Sequence, residues 1–171
     1  MSKIQVLIPA RMESKRFPGK PLAPIAGIPM VVRCAQNSIE AGFDTLVCTN
    51  SLLIIDACTR YNIESVLTPD FNTGTDRVNW AAGKVKTDLI MNLQGDEPLI
   101  SKEAIKSFAK EIISNGSNNQ IIMNGVTPLD QSHAFDTNNV KAILDGNMRI
   151  LYLTRKPVRN TNDQNIFPLY L

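Results

Sequence analysis

Arg11, Lys15, Arg16 and Lys20 crowd into one turn-rich segment, Pro9-Ala10-Arg11-Met12-Glu13-Ser14-Lys15-Arg16-Phe17-Pro18-Gly19-Lys20-Pro21, directly after an apolar run at residues 4–8. Each of these cations can donate charge-assisted hydrogen bonds to phosphate oxygens, so a polyphosphate is the natural guest. Gly19 lets backbone approach a ligand closely, while Pro18 and Pro21 restrict the chain around it. A second cluster, Leu93-Gln94-Gly95-Asp96-Glu97-Pro98, again follows an apolar run and delivers two adjacent carboxylates. Carboxylates beside phosphates suggest Mg²⁺, which is held by one or two carboxylates plus substrate oxygens and water. Successive side chains leaving a strand diverge, so only one of the pair can face a ligand, and Asp96 is the choice because its short side chain follows Gly95. A third segment, Thr73-Gly74-Thr75-Asp76-Arg77, opens a helical stretch. Its free amides and hydroxyls could hold a base or ribose edge, or could simply cap the helix through Thr75.

The elements around these segments alternate. The run at 4–8 reads as a short buried strand. Residues 28–41 carry Val31, Val32, Ala35 and Ile39 at helical spacing, with Pro29 in the first turn and Gly42 as the stop. A strand at 45–49, a helix capped by Ser51 and running to about 61, and a strand at 63–67 follow. The pattern continues with a helix at 75–86, a strand at 89–93, and a helix at 101–114 with Ile105, Phe108, Ala109 and Ile112 inward. A strand at 121–126 comes next. Then a hairpin joins 140–144 to 149–153 through Asp145-Gly146-Asn147. The tail beyond Arg155 shows no clear pattern. Strands separated by helices imply parallel pairing with right-handed crossovers, hence an α/β chain folded as a three-layer α/β/α sandwich on a mostly parallel central sheet. Ligands then belong at the carboxyl ends of the strands, where all three clusters fall.

Composition narrows the remaining classes. With 171 residues, 43% hydrophobic and 20% charged, the chain is sized for one domain. A net charge of +2 leaves no broad nucleic-acid footprint, so no nucleic-acid partner is expected. No membrane partner is expected either, because no stretch approaches the roughly 20 apolar residues that span a bilayer. Cys34, Cys48 and Cys58 have no CxxC spacing and lie in apolar segments, as core thiols of a cytoplasmic protein would. His133, alone of its kind, has no partner cluster, and Trp80 reads as packing.

Taken together, PARxxSxRxPGKP, TGTDR and QGDEP, each after its strand, resemble the 3-deoxy-manno-octulosonate cytidylyltransferase (CMP-Kdo synthetase) family. The likeness extends through Gly27-Ile28-Pro29-Met30-Val31, Ala134-Phe135-Asp136 and Leu151-Tyr152-Leu153-Thr154-Arg155, and the Arg16-Phe17-Pro18 form of the first loop is similar to the Kdo branch rather than the sialic-acid branch. The resemblance implies a nucleotide-diphospho-sugar transferase, Rossmann-like fold and transfer of CMP from CTP to Kdo (3-deoxy-D-manno-octulosonate), with Mg²⁺ as cofactor, in lipopolysaccharide synthesis. Another 2-keto sugar acid, or a shortened relative that binds nucleotide without turnover, are the alternatives. Carried over by motif, Arg11, Ser14, Arg16 and Lys20 would grip the CTP phosphates, with Arg11, Lys20 and Asp96 as the catalytic set. Thr73, Gly74, Thr75 and Arg77 would surround the nucleotide, Asp96 would bind the metal with Gln94 nearby, and Arg155 would meet the sugar carboxylate. A homodimer is also implied. Against the family pattern, the chain is expected to be one nucleotide-binding domain, 1–171, without the family's C-terminal segment and its second acidic metal ligand, and Asn50 stands where the family more often has Asp.

Overall fold

The structure is a computed structural model that describes residues 4–13, 17–116, 122–128 and 134–157, together with the backbone of 166–169. It divides into two compact units, Met1–Ile121 and Ile122–Leu171.

In the first unit, strands β1 (Ile4–Ala10), β4 (Asp44–Thr49), β5 (Ser65–Leu67) and β6 (Leu89–Asn92) form a sheet in the order β5-β4-β1-β6. All its pairings are parallel. Parallel strands bury both faces, which is why β1 is an almost continuous apolar run with Val6, Leu7 and Ile8 fully buried. Between β1 and β4 lie a short hairpin of β2 (Pro24–Ile25) and β3 (Ile28–Pro29), then helix α1 (Met30–Glu40). Helix α2 (Leu52–Arg60) links β4 to β5, α3 (Gly74–Ala82) links β5 to β6, and α4 (Lys102–Gly116) follows β6. Side chains alternate across a sheet, and the two faces take different helices. Val78 and Ala81 of α3 pack with Leu7 and Cys48 and against Leu46, Val66 and Ile90. On the opposite face the buried Ser38 hydroxyl of α1 meets Thr45 Oγ1 at 2.7 Å. This is the α/β/α sandwich anticipated from the alternation of elements.

Several boundaries differ from the sequence expectation. Residues 28 and 29 pair in the small hairpin, so α1 starts at Met30, and Ile39 is 44% exposed rather than inward. Ser51 stands at the start of α2 but its side chain makes no capping bond. Thr73, not Thr75, caps α3: its hydroxyl accepts from the Asp76 backbone at 3.1 Å and donates to the Asp76 carboxylate at 2.6 Å. Helix α3 ends at Ala82 and Gly83, four residues short of the expected end at 86. Trp80 packs against the apolar cluster beneath α3, as expected, with the Lys84 ammonium 5.1 Å from its ring.

The second unit contains a three-stranded antiparallel sheet in the order β8-β7-β9, with β7 (Val140–Leu144), β8 (Ile150–Thr154) and β9 (Ile166–Leu169). The β7–β8 hairpin is the one expected, shifted by one residue in its second strand. Its turn is held by Asp145, whose carboxylate accepts from the backbones of Asn147 and Arg149, both at 2.9 Å. β9 lies in the tail for which the sequence suggested nothing; Pro168 lacks an N–H, and β9 sits at a sheet edge where that is tolerated. The expected strand at 121–126 is absent over its described part: 122–125 have no regular structure, Val126 makes a single bridge, and Ile122 is 91% exposed.

Candidate functional site

The sheet order sets the location. From β1 the chain steps outward to β4 and β5, then returns to place β6 on the other side of β1. The reversal leaves a crevice at the carboxyl ends of β1 and β6, the position where doubly wound sheets bind ligands. The cationic loop leaves β1 there, and the Gln94–Glu97 turn leaves β6 there.

Pro9, near the end of β1, is the meeting point of all three clusters. Leu93 N–H continues the β1–β6 ladder by donating to the Leu7 carbonyl at 3.0 Å, and Gly95 then lies directly on the Pro9 carbonyl. A Cβ at position 95 would fall 2.8 Å from that oxygen, so only glycine permits this approach. Gly74, at the start of α3, faces the Pro9 ring, and a Cβ there would sit 3.4 Å from its Cγ.

The geometry of the charged groups follows. Gly19 adopts φ 74°, left-handed, and turns the chain into a 3₁₀ segment Lys20–Leu22. Its N–H donates to the Met12 carbonyl at 3.2 Å, closing the loop on itself. Lys20 Nζ then reaches across to Asp96 Oδ2 at 2.6 Å, between side chains that are 34% and 50% exposed. The cationic loop and the chosen carboxylate therefore share one crevice. Glu97, the other carboxyl of the pair, is held above the usual carboxylate range, first by burial and then by the Asp96 charge beside it, with Lys20 acting in the opposite sense. Arg11 donates to the Asn72 carbonyl at 3.4 Å, just before α3. Gln94 donates to Asn92 Oδ1 at 3.4 Å.

Arg77 is placed differently from what the sequence suggests. It is 2% exposed, donates to Thr68 Oγ1 and to the Pro69 carbonyl at 3.5 Å, and lies 5.9 Å from the Phe71 ring centroid. Burial lowers its pKa, opposed by Asp70 and then Glu13. Arg77 thus holds the 68–71 loop that precedes α3. Asn50 secures the same loop, donating to Asp70 Oδ1 at 2.6 Å. Thr73, Gly74 and Thr75 form the start of α3 beside Pro9. Ser14, Arg16 and His133 lie outside the described residues. Arg155 belongs to the second unit, where its guanidinium donates to the Asn138 carbonyl at 2.6 Å. Burial pushes the thiols of Cys34 and Cys48 up to about 12 and that of Cys58 to about 11, as inert core groups. Among the described residues, no three His, Cys, Asp or Glu side chains gather into a metal site, and no helix is long and apolar enough to cross a membrane.

A doubly wound sheet whose switch-point crevice is lined by a cationic turn and a carboxylate defines a nucleotide-binding α/β protein. A family model for cytidylyltransferases matches residues 5–171, and the chain belongs to that family. A curated 3-deoxy-manno-octulosonate cytidylyltransferase from Wolinella succinogenes is 37% identical over 159 residues, which is 90% of this chain and 65% of the relative. The chain therefore spans just under two thirds of that relative's length. The solved CMP:2-keto-3-deoxy-manno-octonic acid synthetase complexed with CTP superposes with a TM-score of 0.83 at 26% identity, over 99% of this chain and 72% of its own. A cytidylyltransferase from Leptospira borgpetersenii shares the fold, with a TM-score of 0.61 at 23% identity over 68% of this chain and 51% of its own.

Proposed function

We propose that the chain transfers CMP from CTP to 3-deoxy-manno-octulosonate, releasing pyrophosphate. The observation that carries the reading is the Lys20–Asp96 contact at 2.6 Å, which puts a phosphate-seeking cation and a metal-seeking carboxylate in one crevice at the β1–β6 switch point. The names of the Wolinella relative and of the CTP-bound structural neighbour support the choice of nucleotide and sugar acid.

In this reading a triphosphate enters between Lys20 and Asp96 and takes over the lysine. Lys20 and Arg11 lie against its phosphate oxygens, with Ser14 and Arg16 contributing from the same loop. The start of α3, Thr73 to Thr75, borders the nucleoside, and Arg77 acts on it through the loop it holds. Asp96, a hard oxygen donor half open to solvent, fits Mg²⁺, whose other ligands would be phosphate oxygens and water. When bound, Mg²⁺ neutralises charge on the triphosphate. The sugar hydroxyl oxygen attacks the α-phosphorus and gives up its proton to water, the bond from the α-phosphorus to the oxygen bridging the β-phosphate breaks, and pyrophosphate leaves with that electron pair. Lys20 and Arg11 stabilise the charge accumulating on the departing group, and no protein nucleophile is needed. Gln94 lies beside Asp96, and Arg155 is assigned to the sugar carboxylate. The same reading makes the reaction a cytoplasmic step of lipopolysaccharide assembly, carried out by a homodimer.

The test is pyrophosphate release from CTP with Kdo, with and without Mg²⁺, against a panel of sialic acids and of UTP, ATP and GTP. Magnesium-dependent release with CTP and Kdo is expected. Release with another sugar acid in preference would replace the acceptor, and no release with any would overturn the reading.

A further inference from the structure

Asn37 lies in the third turn of α1, a helix otherwise committed to the core on this side through Cys34 and Ser38, both fully buried. Asparagine is a weak residue in a helix interior, so its presence invites an account in the tertiary structure. Its Nδ2 donates to the Pro98 carbonyl at 2.9 Å and to the Ile100 carbonyl at 3.3 Å. Both acceptors belong to the loop that carries Asp96. That loop consists of two consecutive turns, Glu97 N–H to the Gln94 carbonyl at 3.2 Å and Ile100 N–H to the Glu97 carbonyl at 3.3 Å. Two carbonyl acceptors can be met only by the NH₂ end of the amide, so the side chain has one usable orientation.

The loop is therefore fixed at two ends, with Asp96 between. Gly95 rests on the Pro9 carbonyl at the amino-terminal side, and Asn37 clasps Pro98 and Ile100 at the carboxyl-terminal side. We infer that Asn37 is a positioning residue: it touches no reacting group but sets where the Asp96 carboxylate stands relative to Lys20. The metal and nucleotide part of this inference rests on the proposed cytidylyltransfer; the clasp itself does not.

The experiment compares wild type with Asn37→Ala in two ways. The first is amide hydrogen exchange of the unliganded protein. Exchange over 95–100 should rise about tenfold, the scale of one to two neutral hydrogen bonds, while β1 and β6 keep wild-type protection. The second is steady-state turnover with a magnesium titration. Half-saturation by Mg²⁺ should move up and kcat should fall by roughly tenfold or more, as a displaced group would cause, while KM for CTP stays within about twofold. Unchanged exchange over 95–100 overturns the clasp. Changed exchange with unchanged kcat and magnesium dependence overturns the positioning role. Should wild type itself show no turnover, the proposed function fails and the exchange comparison still decides the clasp. If Asn37→Ala does not fold, Asn37→Ser, too short to span both carbonyls, is read by the same criteria.

Discussion

Gly95→Ala probes the seat of the carboxylate loop. A Cβ at this position would lie 2.8 Å from the Pro9 carbonyl oxygen, 3.4 Å from Ile8 Cγ2 and 3.7 Å from Ala10 Cβ. The closest of these is backbone of β1, which is bonded on both sides to β4 and β6 and cannot step aside. Carbon–oxygen contacts settle near 3.3 Å or beyond, so the loop must retreat by roughly 0.5 Å. Overpacking of this kind costs about 1–3 kcal/mol. For a chain of this size, at about 2–4 °C per kcal/mol, Tm should fall by roughly 2–12 °C. Asp96 is the next residue and shares the retreat; misplacement approaching 1 Å can cost on the order of 100-fold in rate, so a loss of roughly 10-fold to 100-fold in kcat is expected. Thermal unfolding monitored by circular dichroism, with pyrophosphate release on the same samples, measures both. A variant with wild-type Tm and wild-type turnover would refute the packing of the loop on Pro9.

Three further outcomes follow from the same structure. Glu97 has its folded-state pKa raised, so the folded protein binds more protons than the unfolded chain above about pH 4.5, and stability is lost as pH rises from there through the folded value. Glu97→Gln should remove that loss and be at least as stable as wild type at pH 7 in urea titrations; a less stable variant would reverse the sign. Arg77→Lys keeps the charge but loses the planar fork over Phe71 and the paired contacts to Thr68 and Pro69, and should cost about 1–3 kcal/mol in the same titrations; a cost near zero would show that the guanidinium is not needed there. Cys34, Cys48 and Cys58, buried and with raised pKa, should resist a thiol-specific disulfide reagent at pH 8 until urea unfolds the chain. Rapid reaction of the native protein would contradict their burial.

The parts legible in the sequence were those with strong local signals. The apolar run of β1 and the loop after it, the carboxylates after β6, and the helix–strand alternation each rest on periodicity or on Gly and Pro punctuation. Their convergence follows from chain topology, since parallel strands send all their carboxyl ends to one edge. What was not legible depends on partners far away in sequence. Arg77, a charge in the first half of a helix, suggests a surface or ligand group, yet the 68–71 loop and Phe71 bury it. Asn37 looks like an ordinary polar position until Pro98 and Ile100, 61 and 63 residues away, come against it. Strand β3 falls within the expected helix because Pro29 suits a first turn as well as a strand end. β9 was hidden by Pro168, which argues against a strand wherever both edges are paired. Conversely, the apolar run at 121–126 reads as a strand, yet over its described part only Val126 makes a bridge.

The central claim is that Lys20 and Asp96 act together on one metal-bound triphosphate, and titration calorimetry of CTP with and without Mg²⁺ tests it most directly. Their ion pair is solvent-exposed and worth only about 0–1 kcal/mol, so Lys20→Ala and Asp96→Asn should fold with near wild-type Tm. Lys20→Ala should weaken CTP binding by about 1.5–3 kcal/mol, and Asp96→Asn should abolish the gain in affinity that Mg²⁺ gives wild type, along with turnover. Wild-type affinity in Lys20→Ala, or an undiminished magnesium effect in Asp96→Asn, would contradict it.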